Sequence, residues 1–334
     1  MKCTNRHSKR TCIAMFLVLS TIMTGCGSTK YDMAYQLNND VSSYQLLNMT
    51  NHETLEPFAS DLCVVSKDVK TAGVDLSEVG AAALFDLKNL DTLYAKNVNL
   101  QVNPASLTKV MTALVAIKYG STDQVLTASE NVLITEPGAQ LCGIKPGDQM
   151  TLDQALHILL IFSANDVAIM IAEGVSASVN GGSGSVEEFV ALMNEEAAEL
   201  GATNCNFMNP NGLTEDGHYV TTYDLYLIFQ EALKYELFKQ IIQMNSYSTI
   251  YTDASGNEKT LEVNTTNLYL KGTYEMPSNV TVIGGKTGTT NAAGHCLMLL
   301  STSSDGTPYI SIIMKDTSGE NLYTDMTNLL RTVK

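Results

Sequence analysis

The 334-residue chain lacks several things at once, and each absence removes a class of protein. No stretch reaches 18 uninterrupted apolar residues, which excludes a polytopic membrane protein. Basic residues are scarce, 20 against 35 acidic, and the net charge of −15 argues against nucleic acid as the main partner. Charged residues make up only 16% against 45% apolar, which excludes wholesale disorder and leaves enough apolar side chains for a real core. The five histidines (His7, His52, His157, His218 and His295) show no H-E-x-x-H or other ligand spacing, so no metal site is expected. No internal repeat is visible. What remains is a globular, acidic, enzyme-like chain of one large domain or two modest ones.

The N-terminus departs from this acidic character. Lys2, Arg6, Lys9 and Arg10 form a basic head, followed by an apolar run from Thr11 to Thr24. A basic region before a short apolar one reads as a secretory signal rather than a spanning helix. Its end, Met23-Thr-Gly-Cys26, resembles a bacterial lipobox, although Met23 stands where Leu is usual. The resemblance implies that residues 1–25 are removed and that Cys26 carries a lipid; the alternative is an ordinary cleaved signal with an incidental cysteine. Loss of the four basic residues leaves 16 basic against 35 acidic, a net charge of −19. Such a surface does not cling to anionic lipid, so an anchor at Cys26 is the expected membrane attachment.

Cys3 and Cys12 leave with the signal. Cys63, Cys142, Cys205 and Cys296 remain, widely separated and without a C-x-x-C, and three full pairings are open to them. Residues 26–57 are polar and aperiodic, a tether ahead of a domain at 58–334. Ala81–Asp86 and Thr92–Ala95 read as a hairpin. A buried helix starts near Pro104 and runs through Ile117; further helices are expected at 151–173, 186–200 (closing on Gly201) and 222–233. Val280–Ile283, His295–Ser301 and Pro308–Met314 read as strands, and Glu320–Val333 as a last helix. Strands at both ends with helices between predict an α/β domain whose N- and C-terminal strands share a sheet.

Three short motifs carry chemistry. Ser106-Leu-Thr-Lys109 opens the buried helix, and the i, i+3 spacing sets the amine one turn from the hydroxyl. A desolvated lysine near other cations has a lowered pKa and serves as a base towards serine. Ser163-Ala-Asn165 follows an apolar run, a hydroxyl and an amide suited to moving a proton and holding a peptide. Lys286-Thr-Gly-Thr289 comes directly after a strand, behind Gly284-Gly285; the glycines suit a close backbone approach, and the lysine and threonine suit a carboxylate. Each motif alone is a common chance pattern. Together, in this order, they are the S-x-x-K, S-x-N and K-T-G elements of penicillin-binding proteins and serine β-lactamases.

The wider sequence narrows the choice. Asn103–Lys109, Phe207-Met-Asn-Pro-Asn-Gly-Leu213, His218–Leu225 and Gly285–Leu297 resemble the D-alanyl-D-alanine carboxypeptidases, peptidase family S11, over roughly residues 78–333. The resemblance implies a β-lactamase/transpeptidase-like fold: an antiparallel sheet of N- and C-terminal strands flanked by helices, with a helical subdomain. It implies removal of the terminal D-Ala from peptidoglycan stem pentapeptides through a Ser106 acyl-enzyme, with β-lactams as covalent inhibitors and no cofactor. Lys109 is then the general base and Ser163 a proton relay. Asn165 positions the peptide, Lys286 supports the relay, Thr287 binds the terminal carboxylate, and Gly288 belongs to the same binding strand. The N–H groups of Ser106 and Thr289 form the oxyanion hole. His218 and His295 are read as structural.

Two departures stand out. Many relatives add a C-terminal β-rich domain and an amphipathic anchor helix, whereas this chain stops after the last expected helix, with the lipid at Cys26 in the anchor's place. Some relatives carry an arginine before the K-T-G strand, where this chain has Thr265-Thr-Asn267. The rival readings are a class A-like β-lactamase, which the S-A-N middle motif disfavours, and a non-catalytic wall-binding lipoprotein, which has no need of Ser106 and Lys109 together.

Overall fold

The computed structural model describes residues 59–333. The expected signal at 1–25, the lipid site Cys26 and the tether at 26–57 lie outside the described residues. Nine strands occur among the described residues: β1 (Ala81–Asp86), β2 (Asp91–Lys96), β3 (Val125–Thr127), β4 (Gln149–Thr151), β5 (Ser246–Thr252), β6 (Glu258–Asn264), β7 (Val280–Thr290), β8 (Gly294–Ser303) and β9 (Pro308–Asp316). The helices are α1 (Thr108–Tyr119), entered through a 3-10 turn at Ala105–Leu107, α2 (Leu152–Ile161), α3 (Asn165–Asn180), α4 (Val186–Glu199), α5 (Thr222–Ala232), α6 (Glu236–Ile242) and α7 (Gly319–Leu330).

Five antiparallel strands form the main sheet in the order β2-β1-β9-β8-β7, so the chain's two ends share it as expected. Both faces are covered, and the period of two along each strand sorts side chains between two cores. Ala83 and Phe85 of β1, Met298 and Leu300 of β8, and Ile310, Ile312 and Met314 of β9 join the helices α1–α6 in the larger core. Ala82, Leu84, Leu297, Leu299, Tyr309 and Ile313 face the other way, against Leu322, Tyr323, Met326, Leu329 and Leu330 of α7. This double coverage explains why β1 is buried at all six positions.

The helical subdomain is built around α1, buried at every position from Thr108 to Ala116. Helix starts are written locally. Thr151 with Gln154, Ser185 with Glu188 and Thr221 with Asp224 each form a reciprocal capping box. Gly201, in the left-handed region at φ 76°, follows the end of α4.

Three expectations need correction. The helix expected over 151–173 is two helices, α2 and α3, broken at Ser163, whose φ is 70°. The missing hydrogen bond from Asn165 to Ile161 is replaced by two tertiary ones: Asn165 N–H donates to the Gln140 carbonyl at 2.8 Å, and the Ile161 carbonyl accepts from Thr266 N–H at 3.2 Å. The K-T-G motif does not follow a strand; β7 continues through it to Thr290. A Cβ on Gly284 would overlap the Ile242 carbonyl, and one on Gly285 the Met298 carbonyl, so these glycines admit the protein's own backbone rather than a substrate's. The sequence reading also misses a second, four-stranded antiparallel sheet, β3-β4-β5-β6. Along β5 the half-buried positions hold Tyr247, Thr249 and Tyr251 while Ile250 is exposed, so the apolar alternation is weak. The four cysteines for which pairings were left open, Cys63, Cys142, Cys205 and Cys296, are free thiols.

Phe85 joins sheet and helices, stacked on Tyr226 of α5 with ring centroids 4.2 Å apart. Replacing Phe85 by Ala deletes a fully buried ring between two layers and is expected to cost about 3–5 kcal/mol. A denaturant titration that shows less than 1 kcal/mol lost would contradict this account of the layer contact.

Candidate active site

The site lies where the helical subdomain meets the free edge of the main sheet. The 3-10 turn places Ser106, half-buried, at the mouth of α1, and Lys109 one turn further in, fully buried. Lys109 Nζ lies 3.0 Å from Ser106 Oγ, 2.6 Å from Asn165 Oδ1 and 2.5 Å from the Asn211 carbonyl oxygen. A neutral amine has two N–H groups and one lone pair. Asn165 and Asn211 accept the two N–H bonds, which leaves the lone pair for the Ser106 hydroxyl. Burial, with Lys286 nearby as a second contribution, holds the Lys109 pKa well below the ordinary lysine value; Asp166 opposes the shift.

Lys286 is the partner from the sheet. Along β7 the pleat turns Lys286 and Gly288 inward and leaves Thr287 half-buried and Thr289 exposed. Lys286 Nζ donates to Ser163 Oγ and to the Thr287 carbonyl, each at 2.9 Å. Burial lowers its pKa to about 7. The left-handed turn at Ser163 is what brings that hydroxyl to Lys286, so the break between α2 and α3 has a chemical consequence. Gly288 passes close to the turn that carries Ser106: a Cβ there would stand 3.0 Å from Ser106 N and 3.1 Å from Ala105 Cβ.

Ser106, Ser163, Asn165, Thr287, Gly288 and Thr289 line one cleft of about 800 Å³, with Lys109 and Lys286 buried beneath it. All eight residues singled out for catalysis or substrate binding therefore come together; Cys26, the ninth, lies outside the described residues. Three contributors carried no role in the sequence reading. The Asn211 carbonyl binds Lys109, and its loop closes on the turn that carries Ser106 through Gly212, at φ 84°, where a Cβ would overlap the Ala105 carbonyl. The Asn209-Pro-Asn-Gly run was the available signal. Thr266 shares a 2.6 Å hydrogen bond with Thr287. Glu136 stands on the rim.

His218 is structural, as expected. Nδ1 accepts from Met208 N–H at 3.1 Å, so the ring proton sits on Nε2, 3.0 Å from Thr108 Oγ1, which donates to the Ala105 carbonyl at 2.8 Å. This chain pins the turn that carries Ser106. Burial lowers the His218 pKa to about 4. His295 lines the cleft, with Nδ1 3.3 Å from Thr289 Oγ1.

The sequence model of the D-alanyl-D-alanine carboxypeptidases, peptidase family S11, matches residues 68–318. The chain belongs to this family. It is 35% identical over 226 residues to the D-alanyl-D-alanine carboxypeptidase DacF of Bacillus subtilis, covering 66% of this chain and 53% of that one. It is 34% identical to DacB2 of Mycobacterium tuberculosis, covering 68% and 72%. The DD-transpeptidase of Streptomyces K15 superposes with a TM-score of 0.68 at 25% identity, over 78% of this chain and 98% of that one. The chain spans 53% and 58% of the length of two of its carboxypeptidase relatives, DacF and the Escherichia coli DacC. Family membership accounts for the S-x-x-K, S-x-N and K-T-G elements meeting in one cleft.

The buried lysines make stability depend on pH. Between its folded value of about 7 and the ordinary 10.5, Lys286 binds a proton only in the unfolded chain, so stability rises with pH across that window. The thiols of Cys63, Cys205 and Cys296, raised to about 11–12, act in the opposite sense once the unfolded chain loses thiol protons near 9. The melting temperature is therefore expected to climb from pH 7 to about 8.5. In Lys286→Met that climb should flatten. A wild-type midpoint that stays level or falls over this range would refute the burial argument.

Proposed function

We propose that this chain is a serine-type D-Ala-D-Ala carboxypeptidase acting on peptidoglycan stem pentapeptides, and that β-lactams acylate the same serine. The observation that carries the reading is the 3.0 Å approach of a buried, pKa-lowered Lys109 amine to Ser106 Oγ at the mouth of the cleft.

In this mechanism the neutral Lys109 amine takes the Ser106 hydroxyl proton as Oγ attacks the carbonyl carbon between the two D-Ala residues. The substrate backbone lies along the free edge of β7, adding a strand to the sheet. Negative charge developing on the carbonyl oxygen is met by the N–H groups of Ser106 and Thr289, an arrangement supported by the close passage of β7 at Gly288. Collapse of the tetrahedral intermediate breaks the peptide C–N bond, and the leaving amine takes its proton through Ser163, which Lys286 holds. Asn165, tied to Lys109, positions the peptide; Thr287 and Lys286 attract the terminal carboxylate, with Thr266 adding a hydroxyl. Water then hydrolyses the acyl-enzyme. Residues 1–25 act as a lipoprotein signal, Cys26 carries a diacylglycerol, and residues 26–57 tether the domain at the outer face of the cytoplasmic membrane. Among the described residues no helix is long and apolar enough to cross a membrane.

Ser106→Ala should abolish labelling by a fluorescent penicillin, and peptide mapping of the wild type should find the label on Ser106 alone. Lys109→Ala should slow acylation by about 10²-fold or more. Label retained in Ser106→Ala, or an unimpaired Lys109→Ala, would sink the assignment; release of D-Ala from a D-Ala-D-Ala peptide tests the hydrolytic half.

Replacing Cys26 by Ser should block lipid attachment and lipoprotein-type processing. Two acyl chains suffice for lasting binding whereas one is marginal, so cell fractionation should then find either uncleaved precursor or shed protein. A cleaved, unlipidated protein that still sediments with membranes would point to another attachment.

A further inference from the structure

Thr108 and His218 are buried, and neither lines the cleft. No step of the acyl transfer touches them. They are joined to the turn that carries Ser106 by hydrogen bonds that all run in one direction. Met208 N–H donates to His218 Nδ1 at 3.1 Å, which leaves the ring proton on Nε2, 3.0 Å from Thr108 Oγ1. Because Nε2–H donates to that oxygen, the Thr108 hydroxyl proton is committed to the Ala105 carbonyl, 2.8 Å away. Each bond in such a chain polarises the next.

The Ala105 carbonyl belongs to the same peptide unit as the Ser106 N–H. That unit is trans and planar, so a fixed oxygen fixes the N–H, which points the opposite way. The oxygen accepts from both the N–H and the hydroxyl of Thr108, so both of its lone pairs are used. Gly212 crowds the same oxygen, since a Cβ there would overlap it. On the far side β7 passes so close that a Cβ on Gly288 would stand 3.0 Å from Ser106 N. The plane needs holding, because Ala105 sits at φ 47°, a conformation that a residue with a Cβ keeps only where its surroundings impose it.

Resting on the carboxypeptidase reading and its oxyanion hole, we infer that Thr108 and His218 are positioning residues that aim the Ser106 N–H at the oxygen of the scissile carbonyl. His218 acts through Thr108, and Thr108 acts through the Ala105–Ser106 peptide. A donor aimed in advance stabilises the charge that develops in the transition state, so its misdirection costs rate rather than ground-state binding.

The test follows acylation of the full-length protein in detergent by benzylpenicillin over a range of concentrations, which separates the half-saturating concentration from the limiting rate. Thr108→Val removes the donor hydroxyl and should lower the limiting rate by about 10-fold to 100-fold, with the half-saturating concentration changed by less than about twofold. Affinity for a peptide boronic acid, whose tetrahedral adduct with Ser106 puts an oxygen in the oxyanion position, should fall by a similar factor. His218→Leu should lose rate in the same sense, and adding it to Thr108→Val should cost nothing more, because it acts through that hydroxyl. Thr108→Ser and His218→Gln, which keep the donors, should recover most of the rate. Should the melting curve show Thr108→Val unfolded, Thr108→Ala is read in its place. An unchanged limiting rate, additive losses in the double variant, or slowed acylation with boronate affinity intact overturns the inference. D-Ala release by the wild type is measured in parallel: if none occurs while penicillin acylation still depends on Thr108, the carboxypeptidase reading fails and the positioning role stands. No acylation of the wild type overturns both.

Discussion

Two lysine amines have been taken out of water, and the arrangement of the site follows from that. An ammonium group in an apolar interior is costly unless it is hydrogen-bonded or gives up its proton. Here both happen. Lys109 is met by two acceptors from separate elements, the Asn165 side chain at the start of α3 and the Asn211 carbonyl in the loop before α5. Lys286 is met by a serine in a strained turn and by the carbonyl of its neighbour. The lowered pKa values of both lysines are the physical consequence, and perturbed groups of this kind in a cleft mark it as a candidate active site.

The same requirement accounts for the backbone irregularities. Ala105 and Ser163 are non-glycine residues with positive φ, and both flank the site. Each costs conformational energy, held in place by the surrounding bonds. Ala105 is fixed by Thr108 and His218 and capped by the close approach of Gly212. Ser163 is fixed by the exchange of one helical hydrogen bond for two tertiary ones, through Gln140 and Thr266. Those two partners extend the network to the Glu136 turn on one side and to the Thr266–Thr287 pair on the other, so the cleft's walls and its chemistry share one framework.

Family membership and the geometry support each other without overlapping. The match over residues 68–318 accounts for the fold and the three motifs. Thr266 and Thr287 share a hydrogen bond next to the buried Lys286, whose pKa is lowered, so this end of the cleft presents hydroxyls.

Much was legible from local signals. The buried α1, the capping boxes at Thr151, Ser185 and Thr221, the Gly201 stop and the β1–β2 hairpin follow from periodicity and side-chain to backbone hydrogen bonds within a few residues. The i, i+3 relation of Ser106 and Lys109 is also local, because a helical turn enforces it. The rest depends on partners distant in sequence. The break at Ser163 lies in an apolar run that reads as continuous helix, and only Gln140 and Thr266 divide it. The second sheet has too weak an apolar period to announce itself, because β5 turns Thr249 towards the half-buried side and Ile250 to solvent. That β7 runs through K-T-G, and that its glycines make room for Ile242 and Met298, is decided by strand pairing and by α6 packed behind it. The residue types of the site were therefore written in the sequence. The bond from Lys286 to Ser163, 123 positions apart, was made by the tertiary fold, because only packing brings a sheet edge against a broken helix.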